Sequence, residues 1–471
     1  MATGKKNYWL FTLTPLITPF IFFLVLAVPA YGQILPPVVE LAKQQQWQEL
    51  QKLLADGLDA NAVYGDGSSA LHWASYHDSL LGAQALLAAG ADVNATNDLG
   101  ATPLWLAAEN GSPAMTNALL QAGADPRIAL TSGETIVMTA SQSGNGAVVR
   151  ALLAAGADPN AAVTRDQTAL MWAAARGHSA AVAALIEYGA DLEARSLVRT
   201  QYVKSEKEQD SHPDYKYWIE QGGNTPLIFA ARSGDRRSAL HLVEAGADVN
   251  GLSAFGTSPA IMAIHGGNAA LLELLLESGA DTESKASGHT ALHAAVLLGN
   301  LDAVKALLKH GADVESLLEK PTPVRRQATD YNFHDALIGA TPLWLAARFS
   351  EPAIMEALLA AGADPKAVVN MSYPAIRLGE LFIQDEGQIN LVMAAVGLGH
   401  PRLRVSWGTP ERRAGQLGDR QSFILDSVML AVQAGADINA RNADGVTALA
   451  YAKQRRYTSV VSFLEAAGAS E

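Results

Sequence analysis

Thr102-Pro103-Leu104-Trp105-Leu106-Ala107-Ala108, followed by Leu119-Leu120-Gln121-Ala122-Gly123-Ala124-Asp125, decides how this chain folds. The threonine hydroxyl can accept a hydrogen bond from a free N–H in the first turn of a helix. Pro103 lacks the N–H that would be orphaned there, and its fixed φ suits a helix start. The alanines favour helix and let a neighbouring backbone come close. A glycine after the second apolar run supplies a left-handed C-cap. Clusters such as Asn97-Asp98-Leu99-Gly100 then turn the chain. One unit reads as helix, short loop, helix and hairpin-like turn.

The unit recurs. Gly-Ala-Asp begins at Gly90, Gly123, Gly156, Gly189, Gly246, Gly279, Gly311, Gly362 and Gly435, with relaxed copies at Gly57 and Gly468. From Gly57 to Gly189 every step is 33 residues. A Thr/Ser-x-Leu block follows in phase, as at Thr168-Ala169-Leu170, Thr225-Pro226-Leu227, Thr290-Ala291-Leu292, Thr341-Pro342-Leu343 and Thr447-Ala448-Leu449. Helices of about ten residues are marginal alone, so stacked neighbours must supply the burial.

The pattern Thr-Pro-Leu-x-x-Ala-Ala … Leu-Leu-x-x-Gly-Ala-Asp resembles the ankyrin repeat, from about Leu35 to Ser470. The resemblance implies an all-α solenoid of about 10–11 helix-turn-helix repeats filling residues 33–471. There are departures. Only His72 and His293 keep a histidine after the Thr/Ser-x-Leu start, and the unit around Ile389 has lost its threonine.

The phase slips four times, placing insertions near 196–222, 316–338, 367–387 and 401–420. Long loops in compact folds are usually functional or disordered. These carry Tyr202, Tyr215, Tyr217 and Trp218, then Tyr331 and Phe333, then Tyr373 and Phe382, then Trp407. Disordered linkers are poor in aromatics, so the insertions are expected to pack back on the solenoid in part. The fourth holds Arg402, Arg404, Arg412, Arg413 and Arg420 and reads as a solvated basic loop.

A net charge of −13 disfavours nucleic acid, whose phosphates need a basic face. With no cysteine, disulfides and thiolate metal sites are impossible. Lys5 and Lys6 precede an uncharged run from Tyr8 to Val28, then Ala30-Tyr31-Gly32. Residues 1–32 thus read as a secretory signal cleaved near Gly32, or as an uncleaved membrane anchor. Either reading places the rest of the chain across the membrane, periplasmic or secreted.

By resemblance, partners dock on the concave face and hairpin tips. The two positions after Ala-Ala in the first helix point there. They hold Tyr76 and His77, Glu109 and Asn110, Ala175 and Arg176, Arg232 and Ser233, Leu297 and Leu298, Arg348 and Phe349. Tyr, Trp and Arg often anchor protein interfaces. A bulky stripe of Trp73, Leu106, Trp172, Phe229, Met262, Leu345, Met393 and Tyr451 reads as packing between repeats. His289 lies before the Thr290 cap, so its spacing from His293 is not a helical zinc motif, and no metal or cofactor is expected. No nucleophile motif is present, so no enzyme activity is expected. The expected function is binding another protein by a monomeric scaffold, through concave helix faces, hairpin tips and the insertion aromatics Tyr215, Tyr217, Trp218, Tyr331, Phe333 and Trp407, with no membrane contact beyond the possible anchor. The alternative is a sugar or small-molecule binder using the insertion aromatics. An enzyme sited in the insertions ranks below both.

Overall fold

A computed structural model of the protein describes residues 37–163, 165–204, 216–322, 337–375, 383–398 and 420–471. The reading of residues 1–32 lies outside them. The described residues form eleven helix pairs. The first four are α1 (Pro37–Lys43) with α2 (Trp47–Ala55), α3 (Ala70–Tyr76) with α4 (Leu80–Ala88), α5 (Pro103–Glu109) with α6 (Pro113–Gln121), and α7 (Ile136–Ser143) with α8 (Gly146–Ala154). Next come α9 (Ala169–Arg176) with α10 (Ser179–Glu187), α11 (Pro226–Ser233) with α12 (Arg236–Glu244), and α13 (Pro259–His265) with α14 (Ala269–Glu277). The last are α15 (Ala291–Leu297) with α16 (Leu301–Lys309), α17 (Pro342–Arg348) with α18 (Pro352–Ala360), α19 (Leu391–Val396) with α20 (Arg420–Gln433), and α21 (Ala448–Gln454) with α22 (Thr458–Ala466). First helices stack on first helices and second on second, which is the expected all-α solenoid.

The local chemistry is the one the repeat implies. Thr102 Oγ1 accepts from the Trp105 N–H at 3.1 Å. Thr135, Thr168, Thr225, Thr290, Thr341 and Thr447 cap their helices likewise. In the unit that lost its threonine, Asn390 takes over, its Oδ1 accepting from Met393 N–H at 3.0 Å. The cap at Asn390 puts Ala394, not Met393, in phase with the bulky stripe. Gly90, Gly123 and Gly156 have φ of +83°, +90° and +95°. A Cβ there would meet nothing within 4 Å, so the backbone conformation, not crowding, requires glycine.

In most junctions the first helices pack more closely than the second, which bends the stack with the first helices on the concave side. Alanine makes that approach possible. Ala107, Ala108, Ala173, Ala174, Ala230, Ala231, Ala294, Ala295, Ala346 and Ala347 are all fully buried. The stripe packs against this core as expected: Trp73, Trp172, Met262 and Tyr451 half-buried, Phe229 and Leu345 buried.

A polar ladder joins successive hairpins. Asn61 Nδ2 donates to Gly90 O at 3.0 Å while its Oδ1 accepts from Asp92 N–H at 2.7 Å. Asn94, Asn160 and Asn250 repeat the pair toward Gly123 and Asp125, Gly189 and Asp191, and Gly279 and Asp281. Elsewhere a glutamate serves: Glu193, Glu283 and Glu315 accept from the N–H of Asp248, Asp313 and Asp364 at 2.7–2.8 Å. The Glu193–Asp248 and Glu315–Asp364 bonds carry the stack across the first two insertions.

The insertions are not all loops. The first contains an antiparallel ribbon of β3 (Arg199–Lys204) and β4 (Lys216–Gln221), and the third a ribbon of β5 (Val369–Ala375) and β6 (Ile383–Ile389). A shorter ribbon, β1 (Ala162–Val163) with β2 (Gln167–Thr168), is one of the repeat hairpins. The first insertion is tied down at its base. Leu197 N–H donates to Arg165 O at 2.7 Å, Arg195 Nη1 donates to Gly223 O at 3.2 Å, and Ala254 N–H donates to Gly222 O at 3.0 Å. Among the described residues no helix is long and apolar enough to cross a membrane.

Candidate functional site

The seventh and eighth positions after each cap lie at the C-terminal end of a first helix. In α3 and α5 they are open. Tyr76 is 55% exposed, and Glu109 and Asn110 are exposed. His77 is half-buried, its ring 5.0 Å from Tyr76, 5.9 Å from Trp73 and 6.4 Å from Trp47. Burial lowers its pKa below the usual histidine value. In α9 Arg176 is exposed, and in α11 Arg232 is half-buried with its guanidinium 5.0 Å from the Phe229 ring centre.

The second half differs. Leu297 and Arg348 are each 1% exposed, and Phe349 and Leu398 are buried. Every residue of α15, α17 and α19 is buried. Arg348 and Phe349, read as open concave positions, therefore lie inside. Position on the helix does not say what covers it; here the apolar Leu297, Phe349 and Leu398 gain by leaving water, and Arg348 is enclosed with them.

Asn110 has a structural task. Its Nδ2 donates to Ser75 O at 3.0 Å and Tyr76 O at 2.9 Å, satisfying carbonyls at the end of α3. Asn145 does the same for Gly111 O at 2.9 Å, and His178 Nε2 pairs with Gln142 O at 3.0 Å. His72 and His293 also belong to the scaffold. His293 Nδ1 lies 2.7 Å from Thr290 Oγ1 and Nε2 lies 3.3 Å from Ala340 O. His72 Nδ1 lies 2.8 Å from Ser69 Oγ and Nε2 lies 2.9 Å from Ala101 O. Burial lowers both pKa values, that of His293 to about 4, so both stay neutral with Nε2–H donating to the carbonyl.

The repeat phase did not point to Glu134, which sits just before the Thr135 cap. Its side chain runs along α7 and accepts from Thr139 Oγ1 at 2.8 Å. Gln167 has the same position in the next repeat and accepts from Trp172 Nε1 at 3.2 Å. Desolvation in the groove pushes the Glu134 carboxyl above its usual range. Glu109 is pushed up by desolvation and then by the Glu134 carboxylate. Lys43 Nζ lies over the rings of Trp73 and Tyr64, 5.5 and 5.6 Å from their centres.

On the first ribbon, Tyr202 and Trp218 are cross-strand partners with ring centres 4.8 Å apart, 48% and 68% exposed. Tyr217 lies in β4, but its side chain, like Tyr215, Tyr331, Phe333 and Trp407, lies outside the described residues. Among the described residues no group of three or more His, Asp or Glu could hold a metal ion.

These features define a stack of helix pairs, and comparison with known proteins agrees. A family model described as ankyrin repeats (3 copies) matches residues 39–129, 104–196, 138–253 and 227–317, and a single ankyrin repeat matches 338–370. The chain belongs to the ankyrin-repeat family. It is 28% identical over 159 residues to the ankyrin repeat protein nuc-2 of Neurospora crassa, covering 34% of this chain and 13% of that one. It is 37% identical over 93 residues to the B-cell lymphoma 3 protein homolog of Mus musculus, covering 19% of this chain and 21% of that one. The chain thus spans only a small part of the length of these relatives. The solved human ASB11 ankyrin repeat domain is 27% identical with a TM-score of 0.42, covering 52% of this chain and 98% of that one. Ankyrin repeats are in general protein–protein interaction modules and typically non-catalytic scaffolds.

Proposed function

We propose that this chain is an exported scaffold that binds a partner protein on the open first half of its concave face. One observation carries the reading. Tyr76, Glu109 and Arg176 are exposed, while Leu297, Arg348 and Leu398 at equivalent positions are buried. A rigid stack offers exposed side chains at little ordering cost. Export rests on Lys5, Lys6 and the uncharged run from Tyr8 to Val28. The test is affinity capture from the envelope fraction with the native chain and with a Tyr76→Ala/Arg176→Ala variant of unchanged helicity. A protein retained by the first and lost by the second supports the reading; a protein retained equally by both removes the groove from it. Export is tested by fusing residues 1–40 to a reporter enzyme active only outside the cytoplasm.

A second reading, sugar binding, is favoured by the exposed Tyr202–Trp218 pair, whose flat faces suit stacking against a sugar ring. Titration with oligosaccharides followed by tryptophan fluorescence, lost on Trp218→Ala, would support it.

A further inference from the structure

The open half of the groove has a definite chemical character. Between α1 and α9 it shows the half-buried rings of Tyr64, Trp73 and Trp172 and the exposed ring of Tyr76. Set among them are the carboxylates of Glu109 and Glu134. Among the described residues neither forms an ion pair, Glu109 makes no side-chain hydrogen bond, and Glu134 accepts from the Thr139 hydroxyl. Lys43 ends α1 and Arg176 ends α9, and none of the first-helix positions between them is a lysine or arginine. The surrounding segment is strongly acidic: residues 37–195 hold 16 Asp and Glu against 7 Lys and Arg, a net of −9 within the whole chain's −13.

The chain itself shows what this surface accepts. The Lys43 ammonium lies over two of its rings, the geometry of a cation attracted by the negative faces of aromatic rings. The Glu109 carboxyl is pushed up by desolvation and then by the Glu134 carboxylate, and Glu134 by desolvation, so an added positive charge there would find two under-compensated carboxyls. A cationic side chain brought between them would relieve the repulsion and would carry an aliphatic stem to lie on the rings.

We propose that the open half of the groove docks a basic peptide segment of the partner protein, seating a Lys or Arg side chain against Glu109 and Glu134 beside the Trp73, Tyr76 and Trp172 rings. The proposal rests on the scaffold reading and gives its partner a charge. Successive repeats lie about 10 Å apart. The span from α3 to α9 is therefore roughly 30 Å, the length of about nine extended residues. Charge complementarity sets on-rate and specificity as much as affinity, so binding should weaken steeply with salt.

The test uses the purified full chain and labelled 12-residue peptides of matched composition with net charges from about −4 to +4, read by fluorescence anisotropy. Affinity should rise with positive charge. Glu109→Gln/Glu134→Gln should lower it roughly tenfold or more, and the control Glu244→Gln/Glu356→Gln, an equal charge change on exposed second-helix positions, by less than about twofold. Binding indifferent to peptide charge, or equal loss in both double variants, overturns the proposal. Capture of the native partner separates the two levels. A partner lost with Tyr76→Ala/Arg176→Ala but unaffected by Glu109→Gln/Glu134→Gln leaves the scaffold standing and removes the basic ligand. A partner lost in neither removes both.

Discussion

Two stretches of the same concave face obey the same repeat and present opposite surfaces. Along α3, α5 and α9 the positions seven and eight after the cap are Tyr76, His77, Glu109, Asn110 and Arg176, polar or amphipathic and largely open. Along α15, α17 and α19 they are Leu297, Leu298, Arg348, Phe349 and Leu398, mostly apolar, and all but Leu298 are buried. The repeat phase tells where a residue stands on its helix. It does not tell whether the groove in front of it is open. That depends on what lies against it: Arg348 is as buried as Leu297 although it is charged.

The largest test of the contrast uses the stripe position four residues after the cap. Leu345 is fully buried and Leu106 is half-buried. Leu345→Ala should destabilise by about 2–5 kcal/mol, transfer and cavity terms together. Leu106→Ala should cost roughly half as much or less, because part of the side chain is already in water. Urea unfolding of both variants decides it. Equal losses would mean that the second-half groove is no more buried in solution than the first.

Much of this was legible in the sequence, for definite reasons. The caps, the left-handed glycines and the alanine pairs each answer a local demand of the backbone, and local demands are visible in local sequence. The number of repeats follows from the same signals. The ribbons in the first and third insertions were not foreseen. Outside the repeat, the strand segments 199–204 and 369–375 have no phase to align with, and Pro374 and Asn370 argue against a strand. Glu134 was missed because the position before the cap has no fixed chemistry, holding Ser68, Ala101, Glu134, Gln167 and Asn224 in successive units. Arg348 and Phe349 were read as open from their place on the first helix alone, and that place does not report what covers them.

The capping histidines give a second comparison, one in each half. Both are neutral in the fold because burial lowers their pKa values, His293 to about 4 and His72 in the same direction. An unfolded histidine titrates near 6.5. Below that pH the unfolded chain takes up protons that the folded chain refuses. The folded state is therefore at full strength above about 6.5 and loses stability as pH falls, for His293 down to about 4. Unfolding midpoints at pH 7.5 and 5 should differ, and His293→Gln should flatten the difference. A midpoint independent of pH in the native chain would contradict the buried neutral histidines.

The glycine that ends each second helix should ignore the contrast altogether. Gly123 and Gly362 have φ of +90° and +95°, and a Cβ at either would meet nothing within 4 Å. Replacement by alanine should cost about 1 kcal/mol at both, purely from the left-handed backbone. A much larger cost at Gly362 would reveal packing around the second-half hairpins tighter than the fold indicates.

The smallest effect lies where the hairpin ladder is broken, within the open half. Asn94 joins its hairpin to the next through Gly123 O and Asp125 N–H. At the following junction Arg127 occupies the asparagine position and folds back on its own turn, Nε and Nη2 donating to Asp125 at 2.8 and 3.0 Å. No side-chain bond from Arg127 reaches Asp158 or Gly156, and a shallow open depression lined by Asn94, Asp125, Arg127 and Gly156 marks the gap. The Arg127–Asp125 pair is largely exposed and worth little. Arg127→Asn should therefore restore two inter-repeat hydrogen bonds for the loss of one weak ion pair, a gain of roughly 0.5–1 kcal/mol. Amide exchange at Asp158 should slow if the ladder closes. Unchanged exchange with unchanged stability would show that the asparagine ladder in the first half follows the turn geometry and does not hold the repeats together.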